Sequence, residues 1–134
     1  MDLMMAAFFF RSPRIDQDLA MRVGLQDIHS HEPLPGQIPT TVVNFSPDGA
    51  CLIIPKVAID GKHLFFDTLN SELYNLVLFF EDENDENHAK IAISARPIWM
   101  DACEYQDKPA FKIGIRFLFK QDRLFKNLQK KFSS

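Results

Sequence analysis

The segment AFKIGIRFLF, at positions 110–119, sets every second side chain apolar, and a period of two commits a chain to a half-buried strand. Five other segments carry a strand signal. LAMRVGLQDI (19–28) alternates through Met21, Val23 and Leu25; 40–46 and 50–55 are two short apolar runs separated by a turn. Segments 73–80 and 91–100 complete the set, with Pro97 marking an edge or a bulge in the last of them. The period changes only at 121–132, where Leu124, Phe125, Leu128 and Phe132 share one helical face and Lys126, Lys130 and Lys131 lie on the other. Asp122 near the start and lysines near the end suit a helix dipole. Six close-spaced antiparallel strands and one amphipathic helix predict a mainly all-β chain, a small barrel closed by the C-terminal helix.

The remaining segments read as connections or remain ambiguous. The proline- and glycine-bearing stretch 29–39 is expected to be a loop, 59–69 to hold at most a short strand around His63 to Phe66, and the acidic EDENDEN at 81–87 to be a hairpin tip. The apolar start, MDLMMAAFFF, is too short to span a membrane and carries Asp2 where a leader needs a positive charge. It reads as an arm, 1–10, that buries its phenylalanines on the domain or on a second subunit, ahead of a single domain at 11–134. No membrane insertion is expected, and the location expected is cytoplasmic.

With 134 residues, 46% of them hydrophobic, the chain supports one core without covalent staples. A net charge of -3 argues against a protein that grips long nucleic acid. Cys51 and Cys103 fall in no metal or redox spacing and read as free thiols in a reducing compartment. Asp82, Asn84 and Glu86 alternate as in a calcium loop, but Asn87 stands where the glycine is needed and Ile93 where the closing glutamate is needed. His29-x-His31 has no third ligand nearby, so no metal is expected. Enzyme signatures for nucleophile elbows, zinc hydrolysis, phosphate loops and dinucleotides are all missing, and no catalytic residue or cofactor is expected.

What remains is the turn NFSPDG, 44–49. Asp48-Gly49 supplies a corner, with Gly49 expected at positive φ, which leaves Asn44 and Ser46 available to a ligand. Upstream lie Arg11 and Arg14, whose forked guanidinium groups match phosphates and the O6/N7 edge of guanine. The bland account of both is a solvated loop beside a hairpin.

In this order the pieces resemble the PilZ domain, the bacterial cyclic di-GMP receptor module. Its ligand motif has R-x-x-x-R before the first strand and (D/N)-x-S-x-x-G between the next two. Asn44-Phe45-Ser46-Pro47-Asp48-Gly49 matches the second element at every defined position; Arg14 takes the place of the second arginine of the first. Phe10 stands where the first arginine belongs, with Arg11 one residue on. The stretch ending in Ile98-Trp99 and the segment 113–117 resemble the family's closing strands.

The resemblance implies a six-stranded antiparallel PilZ-like barrel with a C-terminal α-helix. It implies a cyclic di-GMP site built from Arg11, Arg14, Asn44, Ser46 and Gly49, with Arg96 outside it. The implied function is a stand-alone receptor that relays the second messenger to a protein effector, in motility or biofilm formation; a homodimer is open. The alternative is a PilZ-like adaptor acting in pilus assembly or motility by protein contact, with weak nucleotide binding or none. An oligonucleotide-binding barrel is a third reading, which the acidic net charge opposes.

Overall fold

Alternation along 110–117 becomes register in the folded chain, where Ile113, Ile115 and Phe117 turn into the core and Arg116 faces solvent. The computed structural model describes residues 13–81 and 90–132; the arm at 1–10, Arg11 and most of the acidic stretch lie outside them. The elements are β1 (Leu19–Asp27), β2 (Pro33–Phe45), β3 (Gly49–Ile54), β4 (Ala58–Ile59), β5 (Lys62–His63), β6 (Tyr74–Glu81), β7 (Lys90–Tyr105), β8 (Lys108–Phe117) and α1 (Asp122–Phe132). Six strands close a barrel in the order β1-β2-β3-β8-β7-β6, with every neighbouring pair antiparallel. β4 and β5 form a separate two-stranded hairpin. Among the described residues no helix is long and apolar enough to cross a membrane.

One core fills the barrel. Val23, Leu25, Ile38, Phe45, Leu52, Leu78, Ile93 and Ile115 are among its fully buried side chains. α1 joins the same cluster through Leu124, Phe125 and Leu128. Burying three such side chains contributes about 1.5–3 kcal/mol each, which makes α1 part of the domain. Phe132, expected on the same face, is instead 37% exposed, with Lys131 Nζ 5.7 Å from its ring centroid. The packed stripe of α1 therefore ends at Leu128, a turn before the helix does.

Three boundaries differ from expectation. The proline-rich stretch is strand: β2 begins at Pro33 and pairs with β1 from Gln26↔Pro33 onward. Its first half has β1 on one side only, since pairing with β3 starts at Thr41, and an edge tolerates prolines that cannot donate to a ladder. The β4–β5 hairpin covers that edge, with Asp60 accepting a 2.8 Å hydrogen bond from the Gly36 N–H. The short strand expected around His63 to Phe66 is present only as β5, which ends at His63 and pairs with β4; Asp60 (φ 52) and Gly61 (φ 76) are the two corner residues of that hairpin. β8 stops at Phe117, short of the expected 119; the Leu118 N–H still donates to Ser94 O of β7 at 2.9 Å, and the side chains of Leu118 and Phe119 are exposed.

The bulge foreseen at Pro97 is present as a register shift between Pro97 and Trp99. It sets Trp99 opposite Gly114, where an added Cβ would lie 2.2 Å from the indole Nε1. That nitrogen is buried and has no hydrogen-bond partner among the described residues, so the indole is held by contact with the bare backbone of Gly114. Gly114→Ala is expected to displace the ring and destabilise the barrel by about 1–3 kcal/mol, read as a lower denaturation midpoint with unchanged slope. An unchanged midpoint would show that Trp99 has room to move.

Candidate functional site

The turn between β2 and β3 is closed by a serine and not by a glycine. Ser46 is 3% exposed; its hydroxyl accepts from the N–H groups of Asp48 (3.3 Å) and Gly49 (3.2 Å) and lies 3.2 Å from Gly49 O. The Ser46 N–H also donates to Gly49 O at 2.9 Å. A corner held in this way needs no left-handed residue. Gly49 is accordingly not at positive φ; it opens β3 as an ordinary strand residue opposite Arg116. This corrects the expectation for Gly49. The Asp-Gly pair that does take positive φ at both residues is Asp60-Gly61.

Two further sets of backbone bonds fix what surrounds the turn. Ile15 and Phe45 form an antiparallel bridge, with Ile15 N–H to Phe45 O at 2.7 Å and Phe45 N–H to Ile15 O at 3.0 Å. The bridge sets Arg14 and Asp16 on one side alongside Asn44 and Ser46 on the other. On the opposite flank, Pro47 O accepts from the Gln121 N–H (2.7 Å) and Asp48 O from the Phe117 N–H (2.8 Å), which ties the turn to the residue before α1 and to the end of β8.

Of the five residues singled out in the sequence, four can thus be located, and all four lie around this turn. Arg14 is partly exposed, its Nε 3.2 Å from Asp16 Oδ2. Asn44 is half-buried and follows the register shift between Val42 and Asn44; its side chain makes no hydrogen bond among the described residues. Ser46 and Gly49 are buried within the turn itself, and Arg11 lies outside the described residues. Ser46 therefore shapes the wall, while Asn44 and Arg14 present polar groups from it.

A groove of about 470 Å³ adjoins the wall on the α1 side, within the size range of ligand pockets. Pro13, Pro47 and Phe125 give it apolar sides; Asp48, Lys120, Asp122 and Lys126 give it charge. Sequence reading assigned the lysine of α1 to a solvated face and Asp48 to a corner. The bond from Pro47 O to Gln121, that from Asp48 O to the end of β8 and the packing of α1 on the core bring them together, and no local pattern encodes those.

Other candidates separate from this site. His29 and His31 occupy the β1–β2 turn, where Asp27 Oδ1 accepts from the N–H groups of His29 (2.9 Å) and Ser30 (3.0 Å). No group of three ligating side chains suited to a metal is present among the described residues. Cys51 is buried, and burial pushes its thiol up to about 11, which suits an inert core residue; Cys103 is half-buried. Arg96 serves the β5–β6 connection, its Nη1 donating to Ser71 O at 2.7 Å and Thr68 O at 3.2 Å.

Because one buried and one partly buried N–H depend on a single hydroxyl, Ser46→Ala is expected to cost about 1–3 kcal/mol of folding stability with no ligand present. Equilibrium denaturation of the variant measures this. A loss confined to ligand binding, with stability intact, would mean that the hydroxyl faces the ligand and not the turn.

No protein-family model matches the chain, and no curated protein sequence matches it. Solved structures do. The inhibitor of motility MotI/DgrA from Bacillus subtilis is similar at 16% identity and a TM-score of 0.53, over 92% of this chain and 53% of that one. The PilZ domain of YcgR from Escherichia coli, solved with cyclic di-GMP, is similar at 10% identity and a TM-score of 0.53, over 90% and 86% of the two chains. PlzA from Borreliella burgdorferi, solved in complex with cyclic di-GMP, gives 14% and 0.53, over 96% and 55%. This chain spans about half the length of the first and the third. At such identities the likeness is one of fold. The closed six-stranded barrel with its C-terminal helix, and its likeness to a solved PilZ domain, identify the chain as having the PilZ fold.

Proposed function

We propose that this protein is a receptor for cyclic di-GMP that passes the signal to a protein effector. The observation that carries the reading is the Ile15–Phe45 bridge, which draws the arginine segment against the N-x-S-x-x-G turn. The motif elements are 30 positions apart in sequence, from Arg14 to Asn44, yet flank one another in the fold. The ligand carries two phosphates and two guanines. Arg14, with Arg11 as auxiliary, offers forked cationic donors; Asn44 offers an amide that accepts and donates. Two of the similar structures contain cyclic di-GMP, and a third is an inhibitor of motility; both facts support the reading. In this reading the chain is not an enzyme, needs no cofactor and works in the cytoplasm, with outputs in motility or biofilm formation.

A second reading, the adaptor that acts by protein contact, has its own support. Phe66 is 67% exposed and Leu73 59% exposed on the β5–β6 connection that Arg96 braces. Apolar side chains held out on a braced loop suit docking. The two readings share a surface and differ in whether a nucleotide controls it.

Calorimetric titration decides between them. With Phe10 in place of one arginine, micromolar binding is expected, about -8 kcal/mol. Arg14→Ala is expected to weaken binding at least tenfold. Arg96→Ala should leave the affinity unchanged while lowering stability, because carbonyls at Thr68 and Ser71 lose their donor. No heat at near-millimolar ligand removes the receptor reading and leaves the adaptor in its place.

A further inference from the structure

The groove beside the turn has a composition that a solvated surface does not require. Asp48, Lys120, Asp122 and Lys126 line it, and none of the four side chains makes an ion pair or hydrogen bond among the described residues. Asp122 has a structural use in the first turn of α1, where a carboxylate favours the helix dipole. Asp48 has none: its backbone is bonded into the turn and to Phe117, while the half-buried residue lines the groove and its carboxylate has no partner among the described residues. Pro13, Pro47 and Phe125 supply flat apolar walls beside it.

We infer that this groove is a guanine pocket, in which Asp48 reads the base and Lys126 assists. The inference rests on the receptor reading above and deepens it, since it says which base the site selects and how. Guanine places two donors, N1–H and N2–H, side by side, and a carboxylate accepts both. Its O6 and N7 are adjacent acceptors, suited to an ammonium. Adenine reverses this pattern. It has an unprotonated N1 where guanine has N1–H, and an amino donor where guanine has O6. A carboxylate facing adenine is repelled by N1, and a lysine meets a donor. The stacking faces of either base fit the proline and phenylalanine walls, so those walls give affinity and the charges give the choice between bases. The arginine segment and Asn44 then hold the rest of the ligand from the other side of the turn.

The test is a pair of titrations on the full chain, with cyclic di-GMP and with cyclic di-AMP, for the native protein and for Asp48→Asn, Lys126→Gln and the distant Asp101→Asn. The native protein should prefer the guanine ligand at least a hundredfold. Asp48→Asn should cut that preference at least tenfold, because the amide loses the charge and sets an NH2 donor against one of the two guanine donors, while thermal unfolding of the free protein stays in place. Lys126→Gln, on an exposed helix face, should lower cyclic di-GMP affinity severalfold and serves equally if Asp48→Asn folds poorly. Asp101→Asn should match the native protein. If the native protein binds cyclic di-GMP and both groove variants keep its full preference, the groove assignment is overturned and the receptor reading stands. If the native protein binds neither ligand, both fall.

Discussion

The site depends on one knot of backbone hydrogen bonds around Ser46. Three separate parts of the chain meet there: the segment before β1 through Ile15–Phe45, the turn itself through the Ser46 hydroxyl, and the entry to α1 through Gln121 and Phe117. None of these bonds involves a charged side chain, so the knot is insensitive to salt and to pH near neutrality. It stays rigid because the groups are buried, and each buried N–H left without a partner would cost about 1–3 kcal/mol. Phe45, fully buried between Asn44 and Ser46, anchors the knot to the core and stacks near Phe117 with ring centroids 5.2 Å apart. Rigidity at this point is what allows polar groups on either side to be presented at fixed spacing.

Seen from this knot, the division of labour around the turn becomes clear. Ser46 and Gly49 are structural and buried; Arg14, Asn44 and Asp48 are the groups that remain on the outside of the knot. Within the N-x-S-x-x-G pattern the serine makes the turn and the glycine admits the start of a buried strand, while the asparagine side chain makes no hydrogen bond among the described residues and is available to the proposed ligand. In that reading the barrel serves to carry β2 and β3 into this corner, with α1 beside it.

Much of the fold was legible in the sequence because its signals are local. Period-two alternation in β1 and β8, the apolar runs of β6 and β7 and the helical stripe of α1 need no knowledge of partners, and the Pro97 bulge follows from a missing N–H. What was not legible depends on distant contacts. Prolines in β2 read as loop until the edge position and the Asp60–Gly36 bond are known. The two Asp-Gly pairs look alike in sequence; only the second has strand residues immediately on both sides, and only the second forms the tight hairpin. The β7–β8 turn, with Gln106 and Asp107 both at positive φ, carries no glycine to announce it. For the site, the motif residues could be named in advance, whereas the α1 wall could not, since it is placed by two main-chain carbonyls.

The central claim is that a nucleotide binds against this knot and engages the segment before β1, the turn and α1 together. A two-dimensional amide NMR titration with cyclic di-GMP tests it most directly. The account predicts ligand-dependent shifts concentrated in Arg14–Asp16, Asn44–Gly49 and the start of α1, with the β5–β6 connection following only if the signal is relayed that far. Shifts confined to the β5–β6 connection, or an unchanged spectrum at near-millimolar ligand, would contradict it.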